Sequence, residues 1–198
     1  MRYCVQIAGV GGQGVLLASS VLGHAAMRAG HKLAMSEVHG MAQRGGSVLS
    51  TLRFGDEALS PLEASGQADL LLGFEPVETY RMLHLANEGT HIVMNLQPSV
   101  PVKVSMGMEQ YPDMDELVGN IRSVTDRLIT LNATELAVQA GKAVAANAAL
   151  IGAVAGVEGF PLERELLEEV LLDTVPERFK EINSKAFQLG YERVRSGL

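Results

Sequence analysis

One cysteine, Cys4, is the only thiol in this chain of 198 residues. No intrachain disulfide can form, which fits a reducing compartment. Nor can the chain hold an iron–sulfur cluster by itself, because the common clusters take about four Cys ligands; any such cluster has to sit on another chain. Tryptophan is absent and aromatics make up only 5% of the residues, whereas Ala, Gly and Leu are plentiful. That composition favours close helix–sheet packing over an aromatic-rich recognition surface. Basic charge is in deficit: 16 Lys and Arg against 23 Asp and Glu leave a net charge of −7. The total predicts no nucleic-acid footprint, while a local basic patch stays open. The most apolar stretch, residues 143–157, is too short and too rich in Ala and Gly to be a membrane span, which needs about 20 apolar residues. Residues 1–5 lead straight into a strand-like pattern without the features of a signal peptide. The expectation is a cytoplasmic protein that binds neither membrane nor nucleic acid.

Hydrophobic residues at 47% and charged residues at 20% are ordinary for a globular chain. The length suits one domain, or one domain with a helical appendage. Periodicity predicts strands at 3–8, 32–36, 47–54, 68–74, 91–96 and 127–131, with a candidate strand at 100–105 beside the fifth. Helices are predicted at about 13–29, 76–87 and 114–124. The first carries the stripe Val15, Ala18, Leu22, Ala25 and Ala29 and stops at Gly30. Beyond residue 131 the pattern turns helical. Asn132 with Glu135 resembles a capping box opening a helix that runs through Ala155, and Gly159 and Pro161 break it. Leu162, Leu166 and Val170 mark the next helix. Thr174 with Glu177 reads as a second capping box, before a final helix striped by Phe179, Ile182, Ala186 and Leu189. Strands alternating with helices imply an α/β, Rossmann-like, mainly parallel sheet flanked by helices over residues 1–131, with a helical C-terminal part at 132–198.

Gly9-Val10-Gly11-Gly12-Gln13-Gly14 fits G-x-G-x-x-G directly between a strand and a helix. Glycines permit a tight turn and close backbone approach, and a helix N-terminus offers N–H groups to a phosphate. Glu37 stands about 20 residues beyond the third glycine, near where a ribose-binding acid is expected in a dinucleotide fold. Phosphate contact, bound NAD or FAD, and simple helix–sheet packing are all open readings of this motif.

Ser36-Glu37-Val38-His39-Gly40-Met41-Ala42-Gln43-Arg44-Gly45-Gly46-Ser47 sets His, Gln, Arg and three glycines between two apolar strands. In an open α/β sheet, loops leaving the carboxyl ends of strands line the ligand crevice. This loop should therefore meet the glycine loop at one sheet edge and form an anion nest with it. Arg44 offers a planar fork to a phosphate or carboxylate, and Gln43 can fix a carbonyl or amide. A subunit contact is the equal alternative. Glu37 and His39 are a conceivable acid–base pair, but no constellation of nucleophile, base and orienter accompanies them. His24, His31, His84 and His91 are scattered without metal-ligand spacing. Asn147 reads as a core or interface amide, and the nine methionines as core filler, with Met106 and Met108 candidates for a contact with another chain.

At these two loops the sequence resembles the gamma domain of the 2-oxoacid:ferredoxin oxidoreductases. The Gly9–Gly14 loop carries the general likeness. The segment from Ser36 to Val48 is similar to the indolepyruvate branch, in which the gamma-type chain is called the beta subunit; pyruvate and 2-oxoglutarate relatives keep an Arg-Gly element but differ upstream of it. The likeness spans essentially the whole chain, including Asn132-Ala133-Thr134 and the Ala-rich helix. It implies a small subunit, noncatalytic by itself, of an enzyme that converts an arylpyruvate, CoA and oxidised ferredoxin to arylacetyl-CoA, carbon dioxide and reduced ferredoxin. Thiamine diphosphate, Mg and 4Fe-4S clusters are expected on a large alpha subunit, and ferredoxin is reached through the heterodimer. The resemblance assigns Gly11, Gly12, Gln13, Gly14, Gln43, Arg44, Gly45 and Gly46 to a surface that helps form the CoA approach, and Gly9 and His39 complete the candidate binding residues. Two other readings compete: a stand-alone oxidoreductase that binds NAD or FAD, and a regulatory module that binds CoA or a nucleotide without a large subunit.

Overall fold

A computed structural model describes residues 2–40, 45–56, 60–61, 64–100 and 102–197. Among them, six strands form one sheet in the order β2-β3-β1-β4-β5-β6: β1 Arg2–Val10, β2 Leu33–His39, β3 Ser47–Gly55, β4 Leu70–Gly73, β5 His91–Asn95 and β6 Leu128–Leu131. β1, β4, β5 and β6 run parallel, whereas β3 is antiparallel to both β1 and β2. The sheet is thus mainly parallel and Rossmann-like, with an antiparallel hairpin on one side. The hairpin follows from length. Only residues 40–46 separate β2 from β3, and a parallel crossover needs a dozen or more.

β1 reads as a continuous apolar run because it is central and covered on both faces. Its one buried polar side chain, Gln6, accepts from Thr51 Oγ1 across the β1–β3 ladder at 2.7 Å. One face is covered by α1 Val15–Arg28 together with α5 Ala133–Ala140, α6 Ala146–Ala155, α7 Arg164–Thr174 and α8 Lys180–Arg195. A smaller apolar cluster on the other face joins Ala8, Leu71, Ile92 and Met94 to Ile121 of α4 Met114–Arg122. α2 Pro76–Arg81 follows β4. The C-terminal helices therefore pack on the sheet and share one core with α1.

α6 and α8 meet backbone to backbone. A Cβ on Gly152 would lie 1.9 Å from the Phe187 carbonyl oxygen, and one on Gly190 would lie 1.9 Å from that of Ala149. Two glycines facing each other's helices give this contact its closeness, with Phe187 buried between the helices and the sheet.

Four sequence expectations change. Val102–Ser105 is a short helical turn, α3, and not a strand; β5 already has β4 and β6 on its two edges, so no partner edge is left. The helix expected at 76–87 stops at Arg81, and a 3-10 turn covers Leu83–Leu85. The long helix from Asn132 is divided at Gly141, whose φ of +133° is open to glycine. Asn132 does cap α5, accepting from Glu135 N–H at 3.2 Å. Thr174 opens nothing: it is the last residue of α7, and its hydroxyl donates to Val170 O at 2.7 Å. Pro176 holds Val175 extended, a 3-10 turn follows at Glu177–Phe179, and α8 begins at Lys180.

Candidate functional site

The glycine loop and the β2–β3 hairpin meet at the carboxyl edge of β1, as loops of this kind should. Gly11 N–H donates to Gly46 O at 2.8 Å, and Gly45 N–H approaches Gly11 O at 3.5 Å, so the two loops are tied backbone to backbone. Gly40 N–H donates to Ser47 O at 2.8 Å and closes the root of the hairpin. Gln43 and Arg44 lie outside the described residues.

Each glycine of the first motif has its own duty. Gly9, the next-to-last residue of β1, lets strand and helix close up: a Cβ there would lie 2.7 Å from both Phe74 Cβ and Val15 Cγ2. Gly12 and Gly14 have φ of +103° and +90°. Gly14 is also overlain by Asn147 at the start of α6, whose Nδ2 would lie 2.7 Å from a Cβ. The break at Gly141 thus brings the first turn of α6 against the first turn of α1. Gln13 turns inward: its Oε1 accepts from Val10 N–H at 2.8 Å and stiffens the turn.

Between these walls lies an open pocket of about 660 Å³. Gly11, Gly12, Gly14 and Leu16 line one side, and His39, Gly40 and Val48 line the other. α1 has no side-chain cap at its N-terminus, so its first-turn N–H groups bring partial positive charge to the pocket wall. Of the ten residues singled out in the sequence, Gly11, Gly12, Gly14 and His39 line the pocket. Gly9 and Gln13 brace it, and Gly45 and Gly46 tie its loops together.

Glu37 takes a different part from the one its spacing suggests. Its Oε1 accepts from Ser19 Oγ at 3.1 Å, and its Oε2 lies 3.7 Å from His39 Nε2. β3 stands between β2 and β1, which places Glu37 about 10 Å across the sheet from the glycine strand. In a dinucleotide fold the acid ends the strand beside β1; here Glu37 anchors β2 to α1 through Ser19.

Five residues at this edge escaped the sequence reading. Glu75, only 2% exposed, caps α2 by accepting from Glu78 N–H at 2.9 Å. Its other oxygen accepts from Ser99 N–H at 3.2 Å and from the Tyr111 hydroxyl. Glu78, also buried, accepts from Ser47 Oγ at 2.5 Å and Arg81 Nη1 at 2.7 Å. Burial, and then the bond to Glu75, push the Tyr111 phenol well above its ordinary pKa, so it stays a donor. The available signal was Glu75-Pro76, an acceptor at N-cap before Pro at N1.

The same edge exposes apolar side chains: Leu16, Val38 at the end of β2, Val100, Met106 and Met108 on the connection after β5, and Val144 three residues before Asn147. Met108 and Val144 are each 72% exposed.

A family profile described as pyruvate ferredoxin/flavodoxin oxidoreductase matches residues 4–193. The chain belongs to this family. It is 41% identical over 198 residues to the indolepyruvate oxidoreductase subunit IorB of Thermococcus kodakarensis, covering 100% of this chain and 98% of that one. It is 40% identical, with the same coverage, to the subunit of that name from Pyrococcus horikoshii. Among solved structures, the gamma subunit of the keto/oxoacid ferredoxin oxidoreductase of Geobacter sulfurreducens matches with a TM-score of 0.70 and 25% identity, over 98% of this chain and 99% of that one. The chain is a small subunit of a 2-oxoacid:ferredoxin oxidoreductase.

The family's redox centres do not fit the residues of this subunit. Cys4, the one thiol, is fully buried in β1. Among the described residues, no three His, Cys, Asp or Glu side chains are placed to hold a metal ion, and no helix is long and apolar enough to cross a membrane.

Proposed function

We propose that this chain serves an arylpyruvate-oxidising enzyme of the indolepyruvate type, as a single gamma-type domain built from an α/β core at 1–131 and helices at 132–198. In this reading it docks through its carboxyl sheet edge on a large subunit that carries thiamine diphosphate, Mg and the 4Fe-4S clusters, and it walls the approach of CoA. Thiamine diphosphate supplies the carbanion stabilisation on that partner; the present chain excludes water and positions CoA.

The observation that carries the reading is the 660 Å³ pocket between the glycine loop and the hairpin, opening among exposed apolar side chains. Its volume falls in the range of small-molecule sites. Gly12 and the first turn of α1 offer N–H groups suited to a CoA phosphate. Leu16, Val15 and Val48 offer apolar wall for the pantetheine arm. His39 and Arg44 are the proposed polar contacts. The names of the relatives favour indolepyruvate as the oxoacid. A stand-alone dinucleotide enzyme is disfavoured by the displaced Glu37.

Co-purification of the tagged chain from its native cells tests the proposal, read by mass spectrometry, visible absorption and CoA-dependent reduction of ferredoxin by indolepyruvate. A stoichiometric large partner with iron–sulfur absorption and arylpyruvate activity is the expected result. A colourless chain recovered alone at mild salt would overturn it.

A further inference from the structure

We infer that Glu75 and Glu78 are positioning residues: a pair of buried carboxylates on α2 that clasps the two walls of the docking edge, the 96–113 connection and the root of the β2–β3 hairpin. The role of that edge rests on the function proposed above; the clasp itself rests on geometry alone.

The 96–113 connection is anchored in apolar packing at its start, where Leu96 lies against the smaller apolar cluster. None of residues 96–100 or 104–113 is fully buried, yet the connection carries the exposed Val100, Met106 and Met108. Packing of Leu96 does not reach those side chains. Two hydrogen bonds hold the segment beyond it: Ser99 N–H and the Tyr111 hydroxyl both donate to Glu75 Oε1, pinning it near its two ends. Capping α2 does not require this, because the cap uses only Oε2. The second oxygen is wholly given to the connection.

Glu78 does the same for the hairpin. Ser47 Oγ donates to its Oε2, and the residue before Ser47 is Gly46, whose carbonyl accepts from Gly11 of the glycine loop. Arg81 Nη1 fills the other oxygen and balances the charge. The Glu78 N–H that caps onto Glu75 joins the two halves of the clasp. Hydrogen bonds buried in a low local dielectric are strengthened, so one turn of α2 sets both walls at once. Of the five side chains in the clasp, Glu75, Glu78, Arg81, Tyr111 and Ser47, the sequence motifs contain Ser47 alone.

The test is Tyr111→Phe, which removes one donor and keeps the ring, with Ser47→Ala as its counterpart on the hairpin. Both are compared with the unaltered chain in isolation and in the complex with the large subunit. In the isolated chain, amide exchange in 96–113 should quicken at least tenfold for Tyr111→Phe, and in 40–49 for Ser47→Ala, with α6 and α8 unchanged. In the complex, the KM for CoA or the subunit dissociation constant should rise several-fold while kcat stays within about twofold, a split that a general loss of stability would not give. Unchanged exchange would overturn the clasp. Quickened exchange with unaltered CoA and subunit affinity would overturn the positioning role while leaving the clasp in place, and would point to a docking face elsewhere.

Discussion

The α6–α8 contact and the carboxyl edge of the sheet are held together by opposite means. The first is dry and made of close approach: Gly152 against Phe187, Gly190 against Ala149, and a run of α6 side chains buried without a polar atom among them. The second is held by hydrogen bonds to two buried carboxylates and by backbone ties between glycine loops, while its apolar side chains face outward. A core fixed by contact tolerates no added volume. An edge fixed by a few polar bonds can be loosened without unfolding, and its outward apolar groups are free for a partner. In the function proposed here, stability is concentrated in the first region and recognition in the second.

The comparison breaks most sharply at the glycine pair. Gly152→Val or Gly190→Val should cost about 3 kcal/mol or more, because a side chain would meet a backbone carbonyl that cannot step aside. Urea unfolding would show a lower midpoint at an unchanged slope. The edge should respond in the other currency. Met108→Asp and Val144→Asp, at exposed positions, should leave unfolding within about 0.5 kcal/mol. They should weaken binding of the large subunit by about 2 kcal/mol, read by titration calorimetry. Tyr111→Phe sits between the two, removing one bond at a cost of about 1 kcal/mol in stability. The smallest effect lies at the far end of the sheet. Burial, and then the neighbouring Arg127, hold the His91 imidazole below its ordinary pKa. The fold favours the neutral ring, so stability is complete above about pH 6.5 and declines as pH falls below it, where the unfolded chain takes the proton first. A pH series of melting temperatures should show this slope, and His91→Gln should flatten it.

Much of this was legible because it is periodic. β1, α1 and the parallel strands announce themselves as apolar runs and stripes, and the glycine motif sits between strand and helix as its mechanism requires. What was hidden is what periodicity does not encode. The buried face of α8 includes Asn183 and Gly190 beside Ala186 and Phe187, so the apolar residues alone point to a face turned by about one position. Gly141 lies inside a helical pattern that continues on both sides, and only its positive φ divides the helix and brings α6 to Gly14. Strand direction was beyond a reading of alternation, and with it went the meaning of Glu37, whose spacing imitates a dinucleotide acid on the wrong strand. Tyr111 lies 36 residues from Glu75 and Ser47 lies 31 residues from Glu78, and these partnerships exist only once β4, β5 and the hairpin share an edge.

The proposed function requires the large subunit to cover the carboxyl sheet edge. Limited methionine oxidation of the intact complex, read by mass spectrometry against the isolated chain, addresses it directly. Met106 and Met108 stand exposed on the edge, and Met27 stands exposed near the opposite end of α1. Protection of Met106 and Met108 with Met27 still oxidised is the predicted result. Protection of Met27 with Met106 and Met108 oxidised as in the free chain would contradict the account.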